Sequence, residues 1–332
     1  MTESNAFPSM VQYFFAQHLS AHKQVSPRTI SAYRDTFRLL LEFLETRTGH
    51  TASALQITDL DAPVILDFLA HLESERGNTA RSRNARLCAI KSFFHVVGLR
   101  DPANMALVQR VLAIPAKRTT RNLITYLTKE EVDAVLAAPD QTTWLGSRDH
   151  ALLLTLYNSG ARVSEITSLV CSQVTFDTHT FIHLHGKGRK DRTVPLWKQT
   201  ARVLQVWFKK MELKSESVAF PNVQGGQLST DSVDYMLQKA VNEARKSCPT
   251  LEKKRITPHV MRHTTAMHLL QAGVDIAVIA LWLGHETIET THGYVEADLT
   301  MKEAALQKLT PAQGCSSRFK PKDDLLRFLS AL

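Results

Sequence analysis

A chain of 332 residues exceeds the usual size of one domain, so two hydrophobic cores are expected. Its 40 lysines and arginines outnumber 32 aspartates and glutamates, giving a formal charge of +8 and a pI near 9.3, which suits a polyanionic partner without identifying one. Cys88, Cys171, Cys248 and Cys315 form no Cys-x-x-Cys pair, no apolar run has the length of a membrane span, and MTESNAFPSM lacks the pattern of a signal peptide. A zinc ribbon, a disulfide framework, a membrane span and secretion are therefore not expected, and a cytoplasmic protein with reduced thiols is.

The first helix is predicted near Met10 to Leu19. Ser26-Pro27 opens a second, serine as cap and proline in the first turn, with Ile30, Tyr33, Phe37, Leu40, Leu41 and Leu44 repeating at helical spacing. Asp61 and Pro63 start a third. NTARSRNARLCAIKSFFHVVG makes a fourth, with Leu87, Ile90, Phe94 and Val97 on its buried stripe and Gly98 expected to stop it. This helix carries Arg81, Arg83, Arg86 and Lys91, which fit a phosphate backbone and a plain solvated face about equally well.

IPAKRTTRNL, residues 114–123, has a proline, several cations including Lys117 and Arg118, and no apolar periodicity; it reads as a linker between domains at 1–113 and 124–332. Beyond it, Thr128 and Glu131 form a capping box, and RDHALLLTLYNSG is a buried helix stopped by Gly160. TFIHLHGKGRKDRTVPL reads as a β-hairpin with a glycine-bearing turn, after which the chain is helical again.

Four motifs in this second part place cations and hydrogen-bond donors where they are expected to be exposed. In SGARVSEI, Arg162 follows a helix-ending glycine and can reach a phosphate, with Glu165 placed to orient it; a surface Arg-Glu helical pair accounts for the same residues. Lys187 sits at the hairpin tip between glycines, where it can donate a proton or simply confer solubility. In TPHVMRHT, Thr257 caps and Pro258 opens a helix whose first turn presents His259 and Arg262 beside the positive end of the helix dipole. His263 lies one turn beyond His259, but His-x-x-x-His without the adjacent glutamate and a third ligand is a poor zinc motif, and no metal is expected. In LGHETIETTHGY, Gly284 ends a short helix capped by Asp275 and presents His285 ahead of Tyr294, a phenol whose ordinary pKa of about 10 makes it a weak nucleophile unless its neighbours activate it. A tyrosine of the core fits the same position.

Taken in order, Gly-x-Arg-x-Ser-Glu, a hairpin lysine, His-x-x-Arg, Leu-Gly-His and a downstream tyrosine resemble the motifs of the tyrosine recombinases, the phage integrase family. The resemblance covers essentially the whole chain. It implies a mainly α fold with a small antiparallel β-sheet: a helical, SAM-like core-binding domain, then an α+β catalytic domain. It also implies an activating pocket of Arg162, Lys187, His259, Arg262 and His285, Tyr294 as nucleophile, and Glu165 behind it. Arg81, Arg83, Arg86, Lys91, Lys117 and Arg118 become candidate DNA contacts. The implied partners are double-stranded DNA and further recombinase subunits in a tetrameric synapse, and no cofactor is implied. Met261, Met267 and Glu296 depart from the usual residues, and the departures are expected to bear on partner preference. Type IB topoisomerases share the pocket chemistry, and a non-catalytic DNA-binding protein would need only the basic surface. In the tail, Leu325, Phe328, Leu329 and Leu332 make an apolar stripe on a short helix expected to dock on a neighbouring subunit.

Overall fold

The computed structural model describes residues 7–119, 124–186, 191–285, 287, 291, 293 and 294. The chain divides into two units, the first ending at Asn122 and the second beginning at Leu123.

In the first unit, helix α1 (Phe7–Tyr13) runs directly into a π-helical stretch, Phe14–His22, so the helix expected near Met10 to Leu19 is present with its second half wound wider. Helices α2 (Pro27–Thr48), α3 (Ala62–Ser74), α4 (Ala80–Arg100) and α5 (Met105–Leu112) follow. The caps are local: the Ser26 hydroxyl accepts from the Thr29 amide, the Asp61 carboxylate from the Ala62 amide, and the Thr79 hydroxyl from the Ser82 amide. Phenylalanines fill the centre. Phe93 meets Phe14 and Phe37 edge-on or nearly so, with ring centroids 5.5 and 5.2 Å apart, contacts worth about 1 kcal/mol each beyond the area they bury.

Two expectations need correction here. Gly98 does not stop α4, which continues to Arg100; α5, which the sequence pattern did not bring out, packs on it there, and a Cβ at Gly98 would come 3.2 Å from Val108 Cγ1. The glycine serves close helix packing instead. Likewise Ile114, placed at the start of the linker, is 3% exposed and belongs to the first core.

The second unit is helical around one small sheet. Helices α6 (Lys129–Ala137), α7 (Trp144–Ser159) and α8 (Val163–Thr167) precede strands β1 (Val174–Phe176), β2 (Thr180–His185) and β3 (Asp191–Pro195). These pair antiparallel in the order β1-β2-β3, with Ile182 opposite both Val174 and Val194. The predicted hairpin is therefore present as β2 and β3; its tip, with Lys187, lies outside the described residues. Then come α9 (Lys198–Lys210), α10 (Thr230–Ala244), α11 (Pro258–Gln271) and α12 (Ile276–Leu283). The Thr128 capping box forms as expected. Leu152, Leu153, Leu156, Ile182, Leu237 and Met261 are completely buried, and Met267 lies in a smaller core beneath Tyr294. Buried as they are, Met261 and Met267 fill cores rather than face a partner. Glu296 and the apolar stripe of the tail lie outside the described residues.

Candidate active site

The site is assembled from helix ends. Helix α7 terminates at Gly160 in the left-handed conformation, φ 58°, and α12 terminates at Gly284 in the same way, φ 65°. Such ends leave carbonyls without helical partners. Arg262, in the first turns of α11, donates from Nη1 to the Gly160 carbonyl and from Nη2 to the Leu283 carbonyl, both at 2.6 Å. The arginine thus joins three helices at their ends. A guanidinium has five N–H groups, so among the described residues these two bonds leave Nε–H and one hydrogen on each terminal nitrogen for an anion.

Arg162 is the N-cap of α8. Its backbone amide donates to Glu165 Oε2 at 2.8 Å, its Nη1 to Glu165 Oε1 at 2.9 Å, and its Nη2 to the Gly284 carbonyl at 3.1 Å. Glu165 is thus paired with Arg162 as expected, and its burial sets aside the alternative of a surface helical pair. Its second partner is Arg192 of β3, which donates to both carboxylate oxygens and, through Nε, to the Trp282 carbonyl at 2.8 Å. Burial raises the Glu165 pKa; the hydrogen bonds and charge of Arg192, then those of Arg162, outweigh it and hold the carboxyl below its usual range. Arg192 was missed in the sequence. Within KDRTVPL it reads as one more hairpin cation, and only the tertiary placement of β3 beside α8 gives it a carboxylate.

Tyr294 is 3% exposed. The motif was expected to be exposed, so its nucleophile and Arg262, 4% exposed, are both corrections to that expectation. The hydroxyl of Tyr294 is hydrogen-bonded to His263 Nδ1 at 2.9 Å, and the His285 ring stacks on the phenol with centroids 6.2 Å apart. Burial raises the Tyr294 pKa, while the charge of Arg262 acts to lower it. His285 is pushed down to about 4, first by burial and then by the positive charges of Arg262 and Arg162; its Nδ1 lies 2.8 Å from the Thr291 hydroxyl. His263 is lowered as well, by burial and then by His259 and Arg262. Arg262 itself falls to about 10, again from burial first and the neighbouring guanidiniums of Arg162 and Arg192 second.

Arg162, Arg262, His285 and Tyr294 thus lie together, with His263 and Arg192 added to them. His259 is exposed on the first turn of α11. Among the described residues no group of three or more His, Cys, Asp or Glu is placed to hold a metal ion, and His263 faces the tyrosine.

The cations proposed for the first unit separate into two kinds. Arg83 is buried, donates to the Pro115 carbonyl and approaches Glu73 at 3.8 Å, and Arg86 donates to the Ala32 carbonyl and the Thr36 hydroxyl. Arg83 in particular is not the surface cation the sequence suggested. Arg81 and Arg118 are exposed, Lys91 is half-buried, and Lys117 is paired with Glu73 at 2.8 Å yet remains about half exposed.

Residues 125–301 match the phage integrase family, and residues 13–98 match its N-terminal SAM-like domain. The chain belongs to the phage integrase family. It is 51% identical over 332 residues, the full length of both chains, to a protein of Sinorhizobium fredii named "Putative integrase/recombinase y4rC". It is also 31% identical to the tyrosine recombinase XerC of Pelobacter propionicus, over 90% of this chain and 94% of that one. In fold this family member resembles the XerH site-specific recombinase in a post-cleavage complex with DNA, at TM-score 0.71 and 19% identity over 86% of this chain and 81% of that one. A Tn1549 transposon integrase in complex with a circular intermediate DNA superposes at TM-score 0.69 and 16% identity, over 90% and 99%. The fold is accordingly that of the tyrosine recombinases, with a SAM-like helical unit and a mixed catalytic unit. No helix among the described residues is long and apolar enough to cross a membrane.

Proposed function

We propose that this protein is a site-specific recombinase of double-stranded DNA, acting in the cytoplasm in integration, excision or transposition, and that Tyr294 is its nucleophile. The observation that carries the reading is the packing of the Tyr294 phenol, His285 and the Arg262 guanidinium in one cluster whose arginines already hold their helix-end carbonyls.

The chemistry follows from the charge that must be stabilised. Attack of the phenol oxygen on a DNA phosphorus puts negative charge on the nonbridging oxygens, and Arg162, Arg262 and His285 supply donors there, each worth a factor of roughly 10² to 10³ in rate. Lys187, by its place in the family motif, protonates the departing 5′ oxygen, and His259 joins the pocket by its place in the same motif set. The product is a 3′-phosphotyrosine and a free 5′ hydroxyl. The phosphoester bond is conserved, so a 5′ hydroxyl from another duplex can reverse the step without ATP and with no metal or other cofactor. Glu165 and Arg192 keep Arg162 in position. Arg81, Lys91, Lys117 and Arg118 are the proposed phosphate contacts of residues 1–113 and the linker; Arg83 and Arg86 brace that surface from within. Four subunits, this chain or related recombinases, form the synapse, with the tail helix linking neighbours.

The test is covalent capture. The protein is incubated with sheared host DNA, denatured, and the attached DNA sequenced, which also reveals the site; the adduct should map to Tyr294 and vanish in Tyr294→Phe while DNA binding persists. An adduct in that variant, or none in the parent, overturns the reading. Exchanged strands from two duplexes distinguish recombination from simple relaxation.

A further inference from the structure

The resemblance puts His259 in the activating pocket, yet the hydroxyl of Tyr294 is hydrogen-bonded to another imidazole. His263 is one helical turn beyond His259 on α11, half-buried where His259 is exposed, and its Nδ1 lies 2.9 Å from the phenol oxygen. Its ring meets the Tyr294 ring at 61° with centroids 5.5 Å apart, so the contact is fixed in orientation as well as distance. We propose that His263, rather than His259, takes the proton from Tyr294 as the phenol attacks phosphorus. This rests on the reading of Tyr294 as nucleophile.

The protonation states at rest fit the transfer. Tyr294 is buried and holds its proton, its pKa being raised. His263 is kept neutral by burial and by the nearby His259 and Arg262, so a lone pair on Nδ1 is available to accept from the phenol, with the ring hydrogen on Nε2. Among the described residues, the charged or titratable groups around the pair are His259 and Arg262 on α11 and His285 beyond α12.

The step balances. The O–H bond of Tyr294 breaks and an N–H bond forms at His263 Nδ1, the phenol oxygen bonds to phosphorus, and the P–O5′ bond breaks with its electron pair on the 5′ oxygen. That oxygen takes a proton from the general acid, Lys187 in the function proposed above. The imidazolium cannot persist comfortably beside Arg262, but a phosphorane forming at the same place carries the compensating negative charge. On resealing, the proton returns from His263 to the departing phenolate.

The experiment uses the full-length protein and a nicked duplex carrying the DNA sequence captured on Tyr294, with adduct formation followed in a single turnover. His263→Asn keeps an acceptor oxygen near the Nδ1 position but cannot take a proton, and His263→Phe keeps the ring alone. Both should lose about 10²-fold in rate, the usual contribution of a positioned base, while DNA affinity stays within about two-fold. The acidic limb of the parent's pH profile should disappear in both. If His263→Asn cleaves like the parent, Nδ1 only holds the phenol and the proposal fails; if His263→Phe cleaves as fast or faster, the hydrogen bond is a resting contact and it fails too. A measurement on the parent needs no variant to fold: histidine ¹⁵N spectra should show His263 with its hydrogen on Nε2, and hydrogen on Nδ1 overturns the proposal. A parent that forms no adduct overturns the function itself, whereas an active parent with unimpaired His263 variants overturns only the role of His263.

Discussion

Arg192 of β3 grips both carboxylate oxygens of Glu165, at 3.1 and 2.7 Å, where both side chains are almost wholly buried. The pair connects the hairpin to the start of α8, and Arg162 shares the same carboxylate. A carboxylate that balances one arginine fully inside the protein leaves the other with charge to direct at a phosphate.

Arg192→Met should therefore cost about 3 to 5 kcal/mol in urea unfolding of the protein, because it leaves Glu165 buried with only one partner. Adding Glu165→Gln should recover a substantial part of that loss, and Arg192→Lys should recover less because lysine cannot reproduce the two-pronged contact. Additive single and double variants would show that the two side chains are not coupled.

Gly160 has φ +58°, and a Cβ there would stand 2.6 Å from Leu283 Cδ2. Gly160→Ala should lower stability by about 1 to 2 kcal/mol from backbone strain alone, more if Leu283 cannot move. Its carbonyl also holds Arg262, so adduct formation should fall along with melting temperature. Unchanged cleavage in a destabilised Gly160→Ala protein would separate the two effects.

His285, held near a pKa of about 4 in the fold, binds its proton more readily once unfolded. The unfolded chain then carries more protons below the ordinary histidine value of about 6.5, so stability is full above that pH and declines as pH falls toward about 4. The melting temperature should drop across this window, and His285→Asn should flatten the slope. His18, His263 and His268, also lowered by burial, add to the slope. An identical pH profile in the variant would mean that His285 is protonated in the fold.

For Lys187, the prediction is chemical. Lys187→Ala should cleave ordinary DNA slowly, by about 10² to 10⁴-fold, yet recover on DNA with sulfur at the 5′ bridging position, because a thiolate leaves without a proton. Equal loss on both substrates assigns the lysine elsewhere.

Much of the architecture was legible because it is written in short-range patterns. Capping residues at Ser26, Asp61, Thr79, Thr128, Thr257 and Asp275 each accept from an amide of the following turn, and a glycine at Gly160 or Gly284 closes its helix with positive φ. The motif residues could be found in the same way, but not their surroundings. Local spacing cannot tell that Arg83 turns inward to the Pro115 carbonyl, that Arg192 finds a carboxylate on another element, or that Tyr294 meets His263 rather than His259. Gly98 was misread for a related reason: a missing Cβ permits a helix end and equally permits a close neighbour, and only α5 decides between them.

The two short bonds of Arg262 to the Gly160 and Leu283 carbonyls have an entropic consequence. A free arginine loses up to about 2 kcal/mol of rotamer freedom when it is immobilised. Here that freedom is surrendered during folding, before any DNA arrives, so the guanidinium meets a phosphate already frozen in place. Association then has fewer torsions to quench, and little solvent needs to reorganise around this charge as the reaction proceeds.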